Sequence, residues 1–465
     1  MTLTLRDLLK IPHMEFRHAR ALRVKTFSGV STDSRTTKAG DIFIALRGGT
    51  FDGHAFIGTA FSRGAAAALA EESFNATAHE GQPLMFVEDT TRALGALARV
   101  YRDKFSVPVL AVGGSNGKTT TKDMIAMVLA EKYSVLSTEG NLNNHVGVPQ
   151  TLFRLTKKHE VAVVEIGTNH PGEVPYLCSV LGPTHALLTN IGREHLEFFG
   201  SLEGVAGEEG ALFRAFGGAG TAIVNADDPR VVAQAAGVRK TVTFGFVPRR
   251  ARVRGRKMVL DEAGCAGFEF KTPAMKAWRR VQLAVPGAHN AMNALAAAAA
   301  GTAFRVPPGS IAAALASFRA SSRRMETLSV GGVVVLNDTY NANPDSMIAA
   351  LRTLAAMKGK GKKIAVLADM RELGQRSPEE HAAVGREASA LGLDFILTYG
   401  PLARHIHHAA ARAGAIHYEE KSTLAEYLAE LAAPGDTVLV KGSRAMAMED
   451  VVLFLQQRRR WPEKS

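Results

Sequence analysis

Short apolar runs separated by polar turns recur along the whole chain, and their character divides it into three stretches. From Leu5 to about Lys104 the runs Ile42–Leu46, Ala65–Leu69 and Leu84–Val87 alternate with polar turns, which predicts a small α/β unit. From Val107 to about Arg319 the runs are continuous: Val109–Val112, Val161–Glu165, Ala186–Asn190 and Thr221–Asn225. Strands apolar on both faces suit a parallel sheet covered by helices on both sides. From about Ala320 the signature returns in Val333–Leu336, Ile364–Leu367, Phe395–Leu397 and Thr437–Val440. The expected fold class is therefore α/β in three domains, 1–104, 105–319 and 320–465, with a central parallel-sheet domain and a Rossmann-like C-terminal domain. In such sheets functional groups sit at the carboxyl ends of the strands, where Glu165, Asn190 and Asn225 fall.

The run Val109–Val112 breaks into Gly113-Gly114-Ser115-Asn116-Gly117-Lys118-Thr119-Thr120, after which Met124, Ile125, Val128 and Leu129 have helical spacing. Glycines allow a tight turn with exposed N–H groups, Lys118 supplies a positive charge, and Thr119 offers a hydroxyl for Mg²⁺. This strand–turn–helix predicts a nucleotide triphosphate cradle. It departs from the standard phosphate loop at Val112, where a glycine is usual.

Composition narrows the setting. A chain of 465 residues, 46% apolar and 22% charged, suits a globular protein of several domains. The longest small-apolar run, Ala294–Ala300, is too short to cross a membrane and reads as a tightly packed helix. The N-terminus has polar and acidic residues where a signal peptide needs an apolar core, and only Cys178 and Cys265 are present, so a reducing cytoplasm is expected. The net charge of +12 is concentrated in Arg249, Arg250, Arg252, Arg254, Arg256 and Lys257 and in Arg458–Arg460. No aromatic residue interleaves with these runs, so a solvated basic hairpin and a charged tail are expected rather than a nucleic-acid platform.

Further polar groups follow buried strands. Glu165 precedes Thr168-Asn-His-Pro-Gly-Glu173 and is placed to hold Mg²⁺, directly or through water; a helix cap or ion pair is the bland reading. His195 lies in Ile191-Gly-Arg-Glu-His-Leu196, and Asn141, Asn143 and Asn144 in Gly140-Asn-Leu-Asn-Asn-His-Val-Gly-Val-Pro149. Such amides suit substrate or phosphate oxygens, and suit loop caps equally. Ser31-Thr-Asp-Ser-Arg35 could hold a sugar or diphosphate or merely cap a turn.

Together these motifs resemble the Mur ligases, ATP-dependent amide-forming enzymes of bacterial cell-wall precursor assembly, over nearly the whole chain. Gly140–Pro149, Thr168–Glu173, Tyr340-Asn-Ala-Asn-Pro344 and Val440-Lys-Gly-Ser-Arg444 carry the resemblance, and within the family they point to the branch that joins D-alanyl-D-alanine to UDP-N-acetylmuramoyl-tripeptide. The resemblance implies three domains closing over one cleft in a monomer, with ATP and Mg²⁺ bound and no nucleic-acid partner. Gly114, Ser115, Asn116, Gly117, Lys118, Thr119 and Thr120 would bind the ATP phosphates. Glu165 and His195, with Thr119, would be metal ligands. Asn290, Asn293, Arg324, Asp338 and Asn341 would surround adenine, ribose and phosphates. Ser31, Asp33, Ser34 and Arg35 would grip the UDP end, with Asn141, Asn144 and Asn190 also on the substrate.

One departure stands out. Where the family places a lysine carbamylated on its side chain, this chain reads Gly207-Glu-Glu-Gly-Ala-Leu-Phe213, with Glu209 at the lysine position and Glu208 beside it. Glu209 is expected to supply a permanent carboxylate in place of the carbamate and to serve as a metal ligand. Other readings are a sibling ligase (adding a diamino acid to the muramoyl dipeptide, or polyglutamylating folate), a nucleic-acid-associated P-loop NTPase, and a degenerate ligase kept as a binding module.

Overall fold

A computed structural model describes residues 2–17, 22, 24–49, 51–247, 251–411 and 414–459. The protein is mixed α/β and divides into two compact units. The first comprises Met1–Ala111, Tyr133–Thr168 and Gly172–His185; the second comprises Val112–Lys132, Asn169–Pro171 and Ala186–Ser465.

The first unit carries a five-stranded sheet in the order Glu15–Arg17, Leu84–Val87, Ala67–Glu71, Asp41–Ile44, Gly29–Ser31, parallel except for its first pair. Phe43, Ile57, Leu84 and Phe86 form its core. The helix Thr90–Arg102 begins where the Asp89 side chain accepts from the backbone N–H groups of Thr91 and Arg92, satisfying donors that have no partner within the helix. Near its other end the Tyr101 hydroxyl donates to the Leu155 carbonyl at 2.8 Å. The same unit holds the parallel pair Val135–Ser137 and Val161–Glu165, and the second of these is buried throughout and ends in Glu165.

In the second unit the strands Thr221–Asn225, Lys240–Gly245 and Val253–Leu260 pair in parallel, then Cys265–Lys271 and Arg279–Pro286 continue antiparallel. The helices Lys118–Ala130 and His289–Ala303 approach so closely that a Cβ on Gly301 would lie 2.7 Å from Val128 Cγ1. That explains the run Ala294–Ala300, which is buried: only small side chains permit the approach. The C-terminal part forms a six-stranded sheet ordered Glu326–Val330, Val333–Asp338, Thr437–Lys441, Lys363–Ala368, Phe395–Tyr399, Ala415–Tyr418, antiparallel only at its first pair. Val335, Ile364, Val366, Leu397 and Val438 pack its interior.

Among the described residues no helix is long and apolar enough to cross a membrane. The basic stretch is a hairpin, Val253–Leu260 with Cys265–Lys271, and Glu269 pairs with Arg256 and Lys257. The fold also supplies an aromatic partner that the local sequence lacked: the Arg256 guanidinium lies 4.1 Å from the Trp278 ring centroid. Arg249, Arg250 and Arg460 lie outside the described residues.

Candidate active site

The turn between the strand Val109–Gly113 and the helix Lys118–Ala130 depends on two glycines in the left-handed region, Gly114 at φ +108° and Gly117 at φ +81°. Space forbids a side chain as firmly as the torsion does. A Cβ on Gly114 would sit 2.8 Å from the Thr189 nitrogen and 2.9 Å from the Asn190 carbonyl oxygen, and one on Gly117 would sit 2.6 Å from Asn293 Oδ1. The segment after the strand His185–Leu188 holds the turn open. Ser115 N–H donates to the Asn190 carbonyl at 2.9 Å. The Asn190 side chain brackets Asn116, accepting from its N–H at 3.1 Å and donating to its carbonyl at 2.9 Å. The expected substrate amide Asn190 is thereby a brace of the phosphate turn, its amide oriented by the backbone it holds.

Carboxylates occupy the cradle's donors. Lys118 Nζ lies 3.2 Å from Glu194 Oε2. Glu209, on the helix Leu202–Arg214, accepts from Gly114 N–H at 2.7 Å through Oε2. Gly113 makes that approach possible, since a Cβ there would stand 2.8 Å from the same oxygen. Glu209 is 1% exposed, whereas Glu208 is only partly buried, so Glu209 is the member of the pair that faces the turn. Burial pushes the Glu209 carboxyl up to about 8; Lys118 and the Gly114 N–H pull it down, and the neighbouring Glu194 carboxyl raises it by charge and hydrogen bonding. Glu194 Oε1 and Glu209 Oε1 are both buried without a donor.

Other elements of the second unit converge on this turn. Asn293 Nδ2 donates to Asn290 Oδ1 at 2.9 Å, and Asn290 is anchored in turn on the Pro286 carbonyl. Asn343 Nδ2 donates to Asn116 Oδ1 at 2.9 Å, bringing the Tyr340–Pro344 motif to the phosphate turn. Within that motif region Asp338 pairs with Lys441 at 2.6 Å, and the Asn341 side chain accepts from the Ala342 N–H. Arg324 lies over the Tyr340 ring, 3.7 Å from its centroid. His195 adopts φ +46° at the start of a short helix, and its Nδ1 lies 2.5 Å from Glu372 Oε2. That contact, more than the opposing effect of burial, lowers the Glu372 carboxyl.

In the first unit Glu165 is 2% exposed; Asn143 Nδ2 donates to its Oε1 at 2.8 Å, and its Oε2 has no donor. Asn144 caps the following helix, accepting from Val146 N–H and Gly147 N–H, which is the cap reading of that amide. Ser31 accepts from Asp33 N–H and donates to its carbonyl. Arg35 pairs with Asp33 at 2.7 Å, and this hydrogen bond holds the Asp33 carboxyl at about 2. Ser34 is buried, and Thr32 receives a hydrogen bond from Gln150 at 3.0 Å.

A divalent cation fits this chemistry. Among the described residues no group of three or more His, Cys, Asp or Glu side chains forms a ready cage. Magnesium usually binds instead through one or two carboxylates completed by substrate phosphates and water. Within the second unit, the donorless buried oxygen of Glu209 beside the phosphate turn is what a hard cation would satisfy; within the first, the donorless Oε2 of Glu165 is an oxygen of the same kind. Signals for Asn143, Arg193 and Glu194 were present in the motifs, but nothing in the sequence showed which amide or acid would turn inward.

The parallel sheets, glycine turn and lysine define a class: α/β proteins built to hold a phosphorylated nucleotide at the start of a helix. Three family models match the chain: Mur ligase family, catalytic domain, at residues 26–102; Mur ligase middle domain at 112–301; and Mur ligase, glutamate ligase domain, at 323–444. The chain belongs to the Mur ligase family. It is 37% identical over 437 residues, 93% of this chain and 94% of the relative, to the UDP-N-acetylmuramoyl-tripeptide–D-alanyl-D-alanine ligase of Escherichia coli (strain K12). A crystal structure of MurF from Acinetobacter baumannii aligns with TM-score 0.90 at 31% identity, covering 98% of this chain and 99% of that one. MurF ligase from Thermotoga maritima, crystallised in complex with ADP, aligns with TM-score 0.82 at 29% identity, covering 93% and 97%.

Proposed function

We propose that this chain is an ATP-dependent ligase that joins D-alanyl-D-alanine to UDP-N-acetylmuramoyl-tripeptide. The observation that carries the reading is a glycine-framed cradle holding Lys118 and Glu209, in a chain alike over nearly its full length to ligases of that name.

Amide formation from a carboxylate is uphill in water, so the acid needs a better leaving group than oxide. The terminal carboxylate of the tripeptide attacks the γ-phosphorus of ATP, and ADP departs, leaving an acyl phosphate. The free amine of D-alanyl-D-alanine then attacks the acyl carbon; phosphate leaves and the amine loses its proton. Catalysis of the first step is mainly positioning and charge neutralisation. Lys118 neutralises the phosphates, the N–H groups of residues 114–120 cradle them, and Thr119, Glu165, His195 and Glu209 are the residues to hold magnesium. Bound there, magnesium supplies electrostatic stabilisation of the transferring phosphoryl group.

Glu209 takes the place of a carbamylated lysine, so its carboxylate needs no CO₂. Ser31, Asp33, Ser34 and Arg35 bind the UDP end, and Asn141 and Asn144 shape the loop beside the acceptor peptide. Asn290, Asn293, Arg324, Asp338 and Asn341 receive the nucleoside. Water exclusion protects the acyl phosphate from hydrolysis. The test is phosphate release with ATP, UDP-muramoyl-tripeptide and D-alanyl-D-alanine: release must require both peptides for sustained turnover, and release indifferent to both rejects the reading.

A further inference from the structure

We propose that Glu194, acting with Glu209, makes the phosphate cradle selective for metal-complexed nucleotide by repelling the uncomplexed form. The inference rests on the nucleotide reading above and adds a role for a residue outside its ligand set.

Four observations carry it. Glu194 is 5% exposed, and its Oε2 lies 3.2 Å from Lys118 Nζ, the charge on which a polyphosphate depends. Glu209 sits on the Gly114 N–H at 2.7 Å, so a second donor of the cradle already faces a carboxylate. Each of these two acids keeps one buried oxygen, Glu194 Oε1 and Glu209 Oε1, with no donor other than the opposing carboxyl. Both project at the same turn, close enough for the Glu194 carboxyl to act on that of Glu209.

A bare di- or triphosphate brings several negative charges to a pocket whose lysine is already paired with Glu194 and whose Gly114 N–H already faces Glu209, so it must displace one buried acid and lie beside the other. Both acids are buried, so the repulsion is weakly screened and uncomplexed nucleotide is disfavoured. A divalent cation carried by the nucleotide reverses the sign, because the donorless carboxylate oxygens then face positive charge. Glu194 therefore sets how strongly nucleotide binding depends on the metal. If its role were confined to positioning Lys118, its loss would weaken nucleotide binding with and without metal alike.

The experiment is calorimetric titration of the full chain with ADP, once in excess EDTA and once in saturating Mg²⁺, for the unaltered protein, Glu194→Gln and Glu194→Asp, with thermal melting to verify folding. The unaltered chain binds ADP more tightly in Mg²⁺. Glu194→Gln, isosteric but neutral, gains about tenfold affinity in EDTA and changes far less in Mg²⁺, while Glu194→Asp keeps the strong metal dependence. An unchanged metal dependence in Glu194→Gln overturns the inference, as does a loss of affinity in both buffers. Inorganic pyrophosphate against the unaltered chain gives an arm that needs no variant: preference for its magnesium complex supports the inference, and equal binding of both forms overturns it. If the unaltered chain binds ADP in neither buffer, the nucleotide reading itself falls.

Discussion

Asp345 clasps Arg193 at three points. Its Oδ1 accepts from the Arg193 side chain through Nη2 at 2.6 Å and Nε at 3.0 Å, and its Oδ2 accepts from the Arg193 backbone N–H at 2.8 Å. Glu380 takes the remaining arm, Nη1, at 2.7 Å. A C-terminal helix start is thus fixed to the loop that braces the phosphate turn, since Gly192 N–H donates to Ser115 Oγ at 2.8 Å.

Breaking that clasp loosens the turn without touching the reacting atoms. Asp345→Ala should raise the KM for ATP about tenfold, with a smaller fall in kcat, because the site is less well organised before binding. Steady-state kinetics over an ATP series checks this; an unchanged KM contradicts it.

Glu209 is expected to matter more to kcat. Glu209→Ala removes a buried carboxylate aimed at the phosphate turn and should lower kcat by about 10²- to 10³-fold. The unaltered chain should turn over equally well with and without bicarbonate. Glu209→Lys should recover activity only when bicarbonate is supplied. A bicarbonate requirement in the unaltered protein would show that another group carries the carbamate.

Gly114→Ala tests the turn geometry. The new Cβ meets backbone atoms at 2.8 and 2.9 Å, and φ +108° is hostile to any L side chain. Denaturant unfolding should show a loss of about 1–3 kcal/mol, and nucleotide binding should fall with it. An unfolding midpoint equal to that of the unaltered chain would contradict the close packing.

Cys265 gives a prediction about pH. Burial, aided by Asp261, pushes its thiol up to about 11. The reactive thiolate is therefore scarce through neutral and mildly alkaline pH and grows only as pH nears that value. Alkylation by iodoacetamide at about pH 8 should be far slower than for a free thiol. Mass spectrometry of the treated protein measures it, and rapid labelling of Cys265 would contradict the burial.

The α/β class and the phosphate turn were legible because their signals are local. Apolar runs mark buried strands, and glycines ahead of Lys118 mark a turn that only they can adopt. Glu165 was legible for the same reason, as an acid ending such a run. The pairings were not. Nothing near Asn190 in the sequence says that its amide would be spent on Asn116, and nothing near Arg193 names Asp345 as its partner. Nor did the basic hairpin announce Trp278, which reaches Arg256 only through the antiparallel register. Long-range contacts of single side chains depend on the folded path, and one sequence carries no local trace of them.

The central claim is that a phosphate cradle built around Lys118 energises a peptide carboxylate for capture by an amine. The most direct measurement is mass-spectrometric detection of the pentapeptide product from ATP, UDP-muramoyl-tripeptide and D-alanyl-D-alanine, comparing the unaltered chain with Lys118→Ala. Product formed by the unaltered chain and reduced at least about 10³-fold in the variant is the expected result. Equal product from both proteins would contradict the account.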